Sequence, residues 1–138
     1  MQMKDKAFID TNVFVYLYSE DEIQKQKQAQ DAIEKYECVT STQMLNEFSN
    51  VCLKKLRIPT DIISNSIDEI ADACGIILVD TEIIKSALNL QRKYGYSYYD
   101  CLVIASALSL NCKYLLTEDL SNLQLIENSL IILNIFEK

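Results

Sequence analysis

The 138-residue sequence contains no histidine. This absence excludes serine–histidine and cysteine–histidine nucleophilic sites, imidazole acid–base catalysis and every zinc site with a histidine ligand. The chain has only two glycines, Gly75 and Gly95, too few for a P-loop or for the Gly-x-Gly-x-x-Gly turn that binds dinucleotides. We therefore expect carboxylates to carry any catalysis, and we expect no nucleotide cofactor.

Positive charge is also scarce, since the sequence has 13 lysines and arginines but 20 aspartates and glutamates, which gives a net charge of −7. Affinity for nucleic acid comes mostly from lysine and arginine, so this balance argues against a nucleic-acid partner. Bound divalent cations would offset several of the acids, and basic residues are grouped at positions 54–57 and 92–93. Nucleic acid therefore stays open as a partner.

Long apolar runs are missing as well. No window approaches the roughly 18 uninterrupted apolar residues of a membrane span, and the first six residues lack the apolar core of a secretory signal. The five cysteines form no Cys-x-x-Cys pair, and four of them lie inside apolar runs, where a free thiol behaves as a small hydrophobe. We expect a reduced, cytoplasmic protein.

Short apolar runs alternate with amphipathic segments of 3.6-residue period along the whole chain. The runs predict strands at residues 8–9, 38–40, 76–79, 113–117 and 130–133. Because strands alternate with helices and no hairpin signal occurs, we predict a three-layer α/β/α sandwich with a five-stranded parallel sheet. With one proline and little room for linkers, residues 1–138 are expected to form a single domain.

Local signals predict where some of these elements begin and end. Ser19 and Glu22 have the spacing of a capping box that would open a helix running to about residue 36. Gly75 is placed to end the helix before it. The strand at 76–79 is expected to be buried on both faces, and the nearly all-apolar helix after Asp100 is expected to be central.

Four carboxylates are expected at one edge of this sheet. Asp10 and Asp119 each directly follow an apolar strand, and Glu47 and Asp100 lie early in helices that follow such strands. At about 5 Å and an effective dielectric near 20, each pair of like charges costs on the order of 3 kcal/mol. Such a cluster calls for protons or cations, and oxygen-only ligands suit Mg²⁺ or Mn²⁺.

Each acid also has a purely structural interpretation. Asp10 and Asp119 are ordinary turn or cap residues at strand ends. A helix N-terminus favours a solvated Glu47, and Asp100 fits a capping box with the serine three residues before it. Glu118, beside Asp119, is interpreted as a surface residue. The joint pattern, more than any single residue, favours a site.

Four segments, in this order, resemble the motifs of the PIN domain, a family of metal-dependent ribonucleases that includes the VapC-type toxins. They are Phe-Ile-Asp-Thr-Asn-Val at 8–13, Asn-Glu-Phe at 46–48, Tyr-Tyr-Asp-Cys-Leu-Val-Ile-Ala-Ser-Ala-Leu at 98–108 and Leu-Leu-Thr-Glu-Asp-Leu at 115–120. The resemblance covers essentially the whole chain.

The resemblance implies an endoribonuclease that cuts RNA phosphodiester bonds with Mg²⁺ or Mn²⁺ and is the toxin of a toxin–antitoxin pair. Hydrolysis by in-line attack of water would leave a 3′-hydroxyl and a 5′-phosphate, and it requires no histidine. A housekeeping RNA-processing nuclease is an alternative. In the family pattern the metal ligands are Asp10, Glu47, Asp100 and Asp119, with Asn12 and Thr117 as supporting hydrogen-bonding residues.

Partners are also implied. The candidate contacts to the RNA backbone are Lys54, Lys55, Arg57, Arg92 and Lys93, and the candidate stacking surfaces are Tyr96, Tyr98 and Tyr99. An antitoxin would dock on an exposed aromatic and aliphatic patch at residues 13–18. The family further implies a homodimer.

Other acidic-pocket folds fit the sequence less well. A phosphoacceptor receiver domain would carry acids before the first-strand aspartate and a lysine after the last strand, where this chain has Ile9 and Asn134. A haloacid-dehalogenase-like enzyme needs Asp-x-Asp, where this chain has an asparagine at position 12. A PIN-like scaffold that binds RNA or protein without cleaving it stays open.

Overall fold

The computed structural model describes residues 3–137. Within them, two helices separate each of the first three strands from the next, and the last three strands follow one another without a helix between them. The strands are β1 (Lys6–Ile9), β2 (Glu37–Ser41), β3 (Gly75–Ile77), β4 (Tyr114–Leu116), β5 (Leu125–Ile126) and β6 (Leu130–Leu133). The helices are α1 (Thr11–Leu17), α2 (Ile23–Lys35), α3 (Thr42–Lys54), α4 (Thr60–Ala73), α5 (Thr81–Tyr94) and α6 (Tyr98–Ser109).

The strands form one sheet in the order β3-β2-β1-β4-β6-β5, which places β1 in its interior. Alternate residues of β1 face opposite sides, as a strand requires. Phe8 packs into the core formed with α5 and α6, whereas Ala7 and Ile9 pack into the core formed with α1 to α4. The predicted three-layer α/β/α sandwich is confirmed.

The sheet has six strands in the described residues, so the prediction of five was one short. The additional strand, β5, is two residues long and pairs with β6 in the antiparallel direction. Three residues, 127–129, join the two strands: Glu127 and Asn128 have positive φ, and the Ser129 N–H donates to the Ile126 carbonyl at 3.1 Å. Such a turn usually carries Asn-Gly or Asp-Gly, so the sequence showed no hairpin signal.

Strand β3 was wrongly expected to be buried on both faces. It forms an edge of the sheet, where Ile76 is 36% exposed, and Leu78 just beyond it is 72% exposed. Gly75, expected to end α4, is instead the first residue of this strand. The left-handed helix end belongs to Gly95, which has φ 77° and donates its N–H to the Gln91 carbonyl at the end of α5.

The capping box predicted at Ser19 does not form. Helix α2 begins at Ile23 after Glu22, which makes no side-chain capping bond. The Ser19 hydroxyl donates instead to the Val15 carbonyl at 2.9 Å, so it ends α1 rather than opening α2.

Helix α6 is central, as predicted, because residues 101–107 are all buried. Across residues 3–137, no helix combines the length and apolar character needed to cross a membrane.

Candidate active site

Asp10 lies where β1 ends and α1 begins, and it caps that helix with extended backbone angles. Its side chain is only 8% exposed, and both oxygens accept hydrogen bonds. Oδ1 accepts from the Thr11 N–H at 2.7 Å and Oδ2 accepts from Thr117 Oγ1 at 2.7 Å. The structural interpretation as a helix cap is therefore correct, and it does not exclude a second role.

Burial raises the pKa of Asp10 to about 6, against the lowering effect of its hydrogen bonds from Thr117 and Thr11. The negative charges of Asp119 and Glu47 raise this pKa further. A buried carboxylate with a perturbed pKa and nearby acids is typical of a functional site.

Thr117 joins Asp10 to the segment that follows β4. The register of β1 and β4 pairs Ile9 with Leu116, so the next residues of the two strands, Asp10 and Thr117, stand side by side. The Thr117 hydroxyl donates to Asp10 and accepts from the Asp119 N–H at 3.1 Å. Asn12 Nδ2 then donates to Asp119 Oδ2 at 3.1 Å. The structure thus brings Asp10, Asn12, Thr117 and Asp119 into one hydrogen-bonded group.

Glu47 reaches the same edge from α3, which follows β2, the other neighbour of β1. The Thr11 hydroxyl donates to the Met44 carbonyl at 3.1 Å and so fixes α3 against α1. Gln43 Nε2 donates to Glu47 Oε2 at 2.8 Å, one turn away on the same helix. Gln43 was not among the predicted site residues, although its i, i+4 spacing from Glu47 is a signal that sequence reading could have used.

Asp100 occupies the first turn of α6, where its N–H donates to Ser97 Oγ at 3.2 Å. Ser97 therefore caps α6 through the Asp100 backbone, as the structural interpretation of this pair expected in part. In the described residues its carboxylate hydrogen-bonds to no other member of the predicted quartet, and it is not among the charges that shift the pKa of Asp10.

No three acidic or cysteine side chains in residues 3–137 lie close enough together to hold a metal ion in this arrangement. Four like charges repel, so bringing the four carboxylates together requires a cation between them.

The donor set nevertheless fits a hard divalent cation. Two buried amide oxygens, Asn12 Oδ1 and Gln43 Oε1, have no hydrogen-bond partner in residues 3–137. Each belongs to an amide whose nitrogen holds one of the acids, Asp119 or Glu47. Buried acceptors without donors, beside a carboxylate whose pKa is raised, indicate a site short of positive charge. An all-oxygen set suits Mg²⁺ or Mn²⁺.

A sequence profile of the PIN domain matches residues 7–124, which is most of the chain. The chain belongs to the PIN domain family. The resemblance of the four motifs and the predicted fold are thereby confirmed. No curated protein matches the sequence.

Solved structures share the PIN fold. A chain of a toxin–antitoxin complex from Klebsiella pneumoniae has 19% identity and a TM-score of 0.70, with 96% of this chain and 99% of that chain covered. The VapC20 toxin of Mycobacterium tuberculosis, described as cleaving the sarcin-ricin loop, has 14% identity and a TM-score of 0.65 over 79% of this chain and 86% of that one. VapBC2 from Rickettsia felis, bound to a DNA fragment from the promoter, has 17% identity and a TM-score of 0.65, covering 92% and 96%.

Glu118 of this PIN domain is not the free surface residue that the sequence suggested. Its Oε1 accepts from Tyr16 Oη at 2.6 Å, and its Oε2 lies 3.4 Å from Lys25 Nζ. The Lys25 ammonium also stands 4.6 Å from the centre of the Tyr16 ring. This cluster fixes the segment after β4 against α1 and α2, and so holds Asp119 next to Asp10.

The predicted RNA contacts lie in two separate places. Lys54, Lys55 and Arg57 are exposed at and beyond the end of α3. Arg92 and Lys93 occupy the last turn of α5, where Lys93 Nζ forms a 2.5 Å ion pair with Glu127. The structure does not gather these five side chains beside the acidic group.

The three tyrosines proposed for stacking differ in exposure. Tyr99 is 66% exposed, whereas Tyr96 and Tyr98 pack partly against the core. Tyr96 Oη also donates to Gln124 Oε1 at 2.6 Å. Tyr99 is thus the most available of the three.

The antitoxin patch at residues 13–18 was wrongly expected to be exposed throughout. Val13 and Phe14 are fully buried because they form the core-facing side of α1. Tyr16 and Tyr18 are only partly exposed, and Tyr18 lines an open cleft of 690 Å³ together with Phe48.

Proposed function

We propose that this PIN domain is a metal-dependent endoribonuclease and the toxin of a toxin–antitoxin pair. The observation that carries the proposal is the hydrogen-bonded group of Asp10, Asn12, Thr117 and Asp119 at the carboxyl ends of β1 and β4. Family membership supports the nuclease activity, and structural relatives that are toxins or toxin–antitoxin complexes support the biological role.

In this proposal Mg²⁺ or Mn²⁺ is held by Asp10, Glu47, Asp100 and Asp119. When bound, the cation makes water nucleophilic at neutral pH and offsets negative charge on the scissile phosphate. Thr117 fixes the direction of the Asp10 carboxylate, and Asn12 fixes that of Asp119. Gln43 holds Glu47 in the same way. Attack by water in line with the leaving group releases a 3′-hydroxyl and a 5′-phosphate.

The test is cleavage of a mixed pool of structured and single-stranded RNA by the purified protein. Activity should require Mn²⁺ or Mg²⁺, disappear with EDTA and disappear in Asp100→Asn. Asp80→Asn is a matched control, because Asp80 is also an aspartate at a helix start but is exposed and caps α5 through the Ile83 N–H. Cleavage that persists in EDTA or in Asp100→Asn would refute the proposal.

A non-cleaving module is a second candidate, favoured by the position of Asp100, which in residues 3–137 lies outside the hydrogen-bonded group of Asp10, Asn12, Thr117 and Asp119. Calorimetric titration with Mn²⁺ separates the two candidates. Binding that is lost in Asp10→Asn, with no cleavage of any RNA in the pool, would favour the binding module. Binding together with cleavage supports the nuclease.

The toxin role requires a separate test. Expression of the chain alone should arrest growth, and Asp10→Asn should relieve the arrest. Identical growth with both forms would favour the housekeeping nuclease. We further propose that the antitoxin docks at the cleft beside Tyr18 and Phe48, so that Tyr18→Glu should weaken neutralisation without changing RNA cleavage.

Two proposals concern the surface. Reversal of charge at Arg92 and Lys93 should weaken RNA binding and reduce the slope of its salt dependence by about one or two. An unchanged slope would show that Arg92 and Lys93 do not contact the RNA. A homodimer should elute at twice the mass of the 15.8 kDa chain, and elution at the single mass would contradict it.

A further inference from the structure

Two buried cysteines lie side by side near the beginning of β2. The parallel register pairs Val39 of β2 with Gly75 of β3, so the preceding residues, Cys38 and Cys74, are neighbours. Cys74 has extended backbone angles, φ −129° and ψ 146°, and continues the line of β3. Neighbouring residues of paired strands point their side chains to the same face.

This arrangement matches the geometry that a disulfide requires. Adjacent strands lie about 4.8 Å apart, and a disulfide bridges Cα atoms separated by roughly 4.4 to 6.8 Å. Both side chains lie in the same apolar core, where Cys38 Sγ donates to the Ile33 and Tyr36 carbonyls at 3.5 Å. Closure of the bond therefore needs little movement of the backbone.

Although both residues are more than 90% buried, the pair borders a cleft, and the pKa of Cys38 differs in direction from those of other buried cysteines. Both thiols line an open cleft of 690 Å³ together with Lys4. The neighbouring Cys74 thiol and the positive charge of Lys4 hold the pKa of Cys38 below its usual range, against the raising effect of burial. Burial instead raises the pKa of Cys52, and it raises the pKa of Cys112 to about 12. Thiolate character and access decide which cysteine an oxidant attacks.

We propose that Cys38 and Cys74 are an oxidisable dithiol that hydrogen peroxide converts into an intramolecular disulfide. The Cys38 thiol attacks the peroxide O–O bond, becomes a sulfenic acid and releases one water molecule. The Cys74 sulfur then attacks the Cys38 sulfur, and the sulfenic hydroxyl leaves with the Cys74 proton as a second water molecule. Two thiols are oxidised by two electrons, and one peroxide is reduced to two waters.

The bridge would join β2 to β3 and enclose α3 and α4 in a covalent loop. Cys38 lies three residues before Ser41, roughly 10 Å along the strand from its carboxyl end. The acidic group is at that carboxyl end, so the dithiol is independent of the proposed nuclease, and either can fail without the other.

The test uses the native full-length protein treated with hydrogen peroxide, followed by alkylation of free thiols and mass spectrometry of the digest. Free thiols should fall from the five of the sequence to three, and one cross-linked peptide should contain Cys38 and Cys74. The melting temperature should rise by about 5 to 10 °C and return with dithiothreitol.

Cysteine-to-alanine variants test whether Cys38 and Cys74 are the residues that form the cross-link. Cys38→Ala and Cys74→Ala should each abolish the cross-link and the thermal shift, whereas Cys112→Ala, which removes a buried single cysteine, should retain both. The digest of the wild-type protein does not depend on the folding of any variant, so it tests by itself whether the Cys38–Cys74 disulfide forms. Absence of the Cys38–Cys74 peptide, or over-oxidation of Cys38 with Cys74 still alkylated, would overturn the proposal.

Discussion

Replacement of Asp10 by asparagine should stabilise the metal-free protein at neutral pH. Burial raises the Asp10 pKa from its ordinary value of 3.8 to about 6. A pKa difference of one between the folded and unfolded states corresponds to about 1.4 kcal/mol. An ionised Asp10 at pH 7 or above therefore lowers the free energy of unfolding by on the order of 3 kcal/mol.

The sign follows from proton binding. Because its pKa is higher in the folded state, Asp10 keeps its proton there at pH values where the unfolded chain has lost it. The contribution to stability is therefore fully present below about pH 4 and is lost as pH rises through about 6. The amide of the Asp10→Asn variant carries no charge at any pH, so the variant should not lose the stability that the wild type loses when Asp10 ionises.

The net gain will be smaller than this full electrostatic contribution. With its single oxygen accepting from the Thr11 N–H, asparagine presents its amide nitrogen to the Thr117 hydroxyl, which can no longer donate to this side chain. Allowing about 1 kcal/mol for that lost bond leaves roughly 2 kcal/mol at pH 7.5, which corresponds to a rise in melting temperature of about 5 °C.

The assay is urea and thermal denaturation in EDTA at pH 5.0 and pH 7.5. The difference between Asp10→Asn and wild type should be small at pH 5.0 and large at pH 7.5, and Mn²⁺ should raise the melting temperature of the wild type alone. Asp80→Asn, at an exposed helix start, should change stability by less than about 0.5 kcal/mol at either pH. A variant less stable than wild type at pH 7.5, or a difference independent of pH, would refute the reasoning.

Two further changes test contacts around the site and at a helix end. Thr117→Val removes a buried hydroxyl that serves both Asp10 and Asp119, and should lower the free energy of unfolding by about 1 to 3 kcal/mol in urea denaturation, with Thr117→Ser close to wild type. An unaffected Thr117→Val would show that the hydroxyl does not hold the site together. Gly95→Ala should cost about 1 kcal/mol because φ is 77° there, although the added methyl meets no atom within 4 Å. Gly95→Asn should recover part of that loss, and equal stability of all three forms would contradict the strain.

Much of the fold could be predicted because it depends on local patterns. The 3.6-residue spacing of apolar residues predicted the long helices, and the abrupt change from Ile9 to Asp10 predicted the end of a buried strand. The seven buried residues of α6 follow from a helix that is apolar on all sides. Motif spacing indicated the family, and the profile match confirmed it.

The wrong predictions arose where a local pattern does not specify the partner of a segment. An apolar run, for example, does not indicate how many neighbouring strands it will have. The run after Gly75 looked like an interior strand, but the sheet order makes it an edge, and its side chains are exposed. Strand β5 has two residues, too few to show the alternating pattern of a strand. The turn that follows it, at Glu127 and Asn128, lacks glycine. The Ser19 side chain was positioned to hydrogen-bond to the backbone of either α1 or α2, and in the structure it donates to α1.

The element types, the family and the acids at strand ends follow from the sequence alone, because they depend on residues close together in the chain. Which groups meet depends on the tertiary structure. The β1–β4 register sets Thr117 against Asp10, Glu118 is fixed by Tyr16, and Cys38 lies beside Cys74. These contacts join residues 36 to 107 positions apart, and burial of Asp10 among them raises its pKa. Strand order and register, which no local pattern encodes, control both proximity and burial.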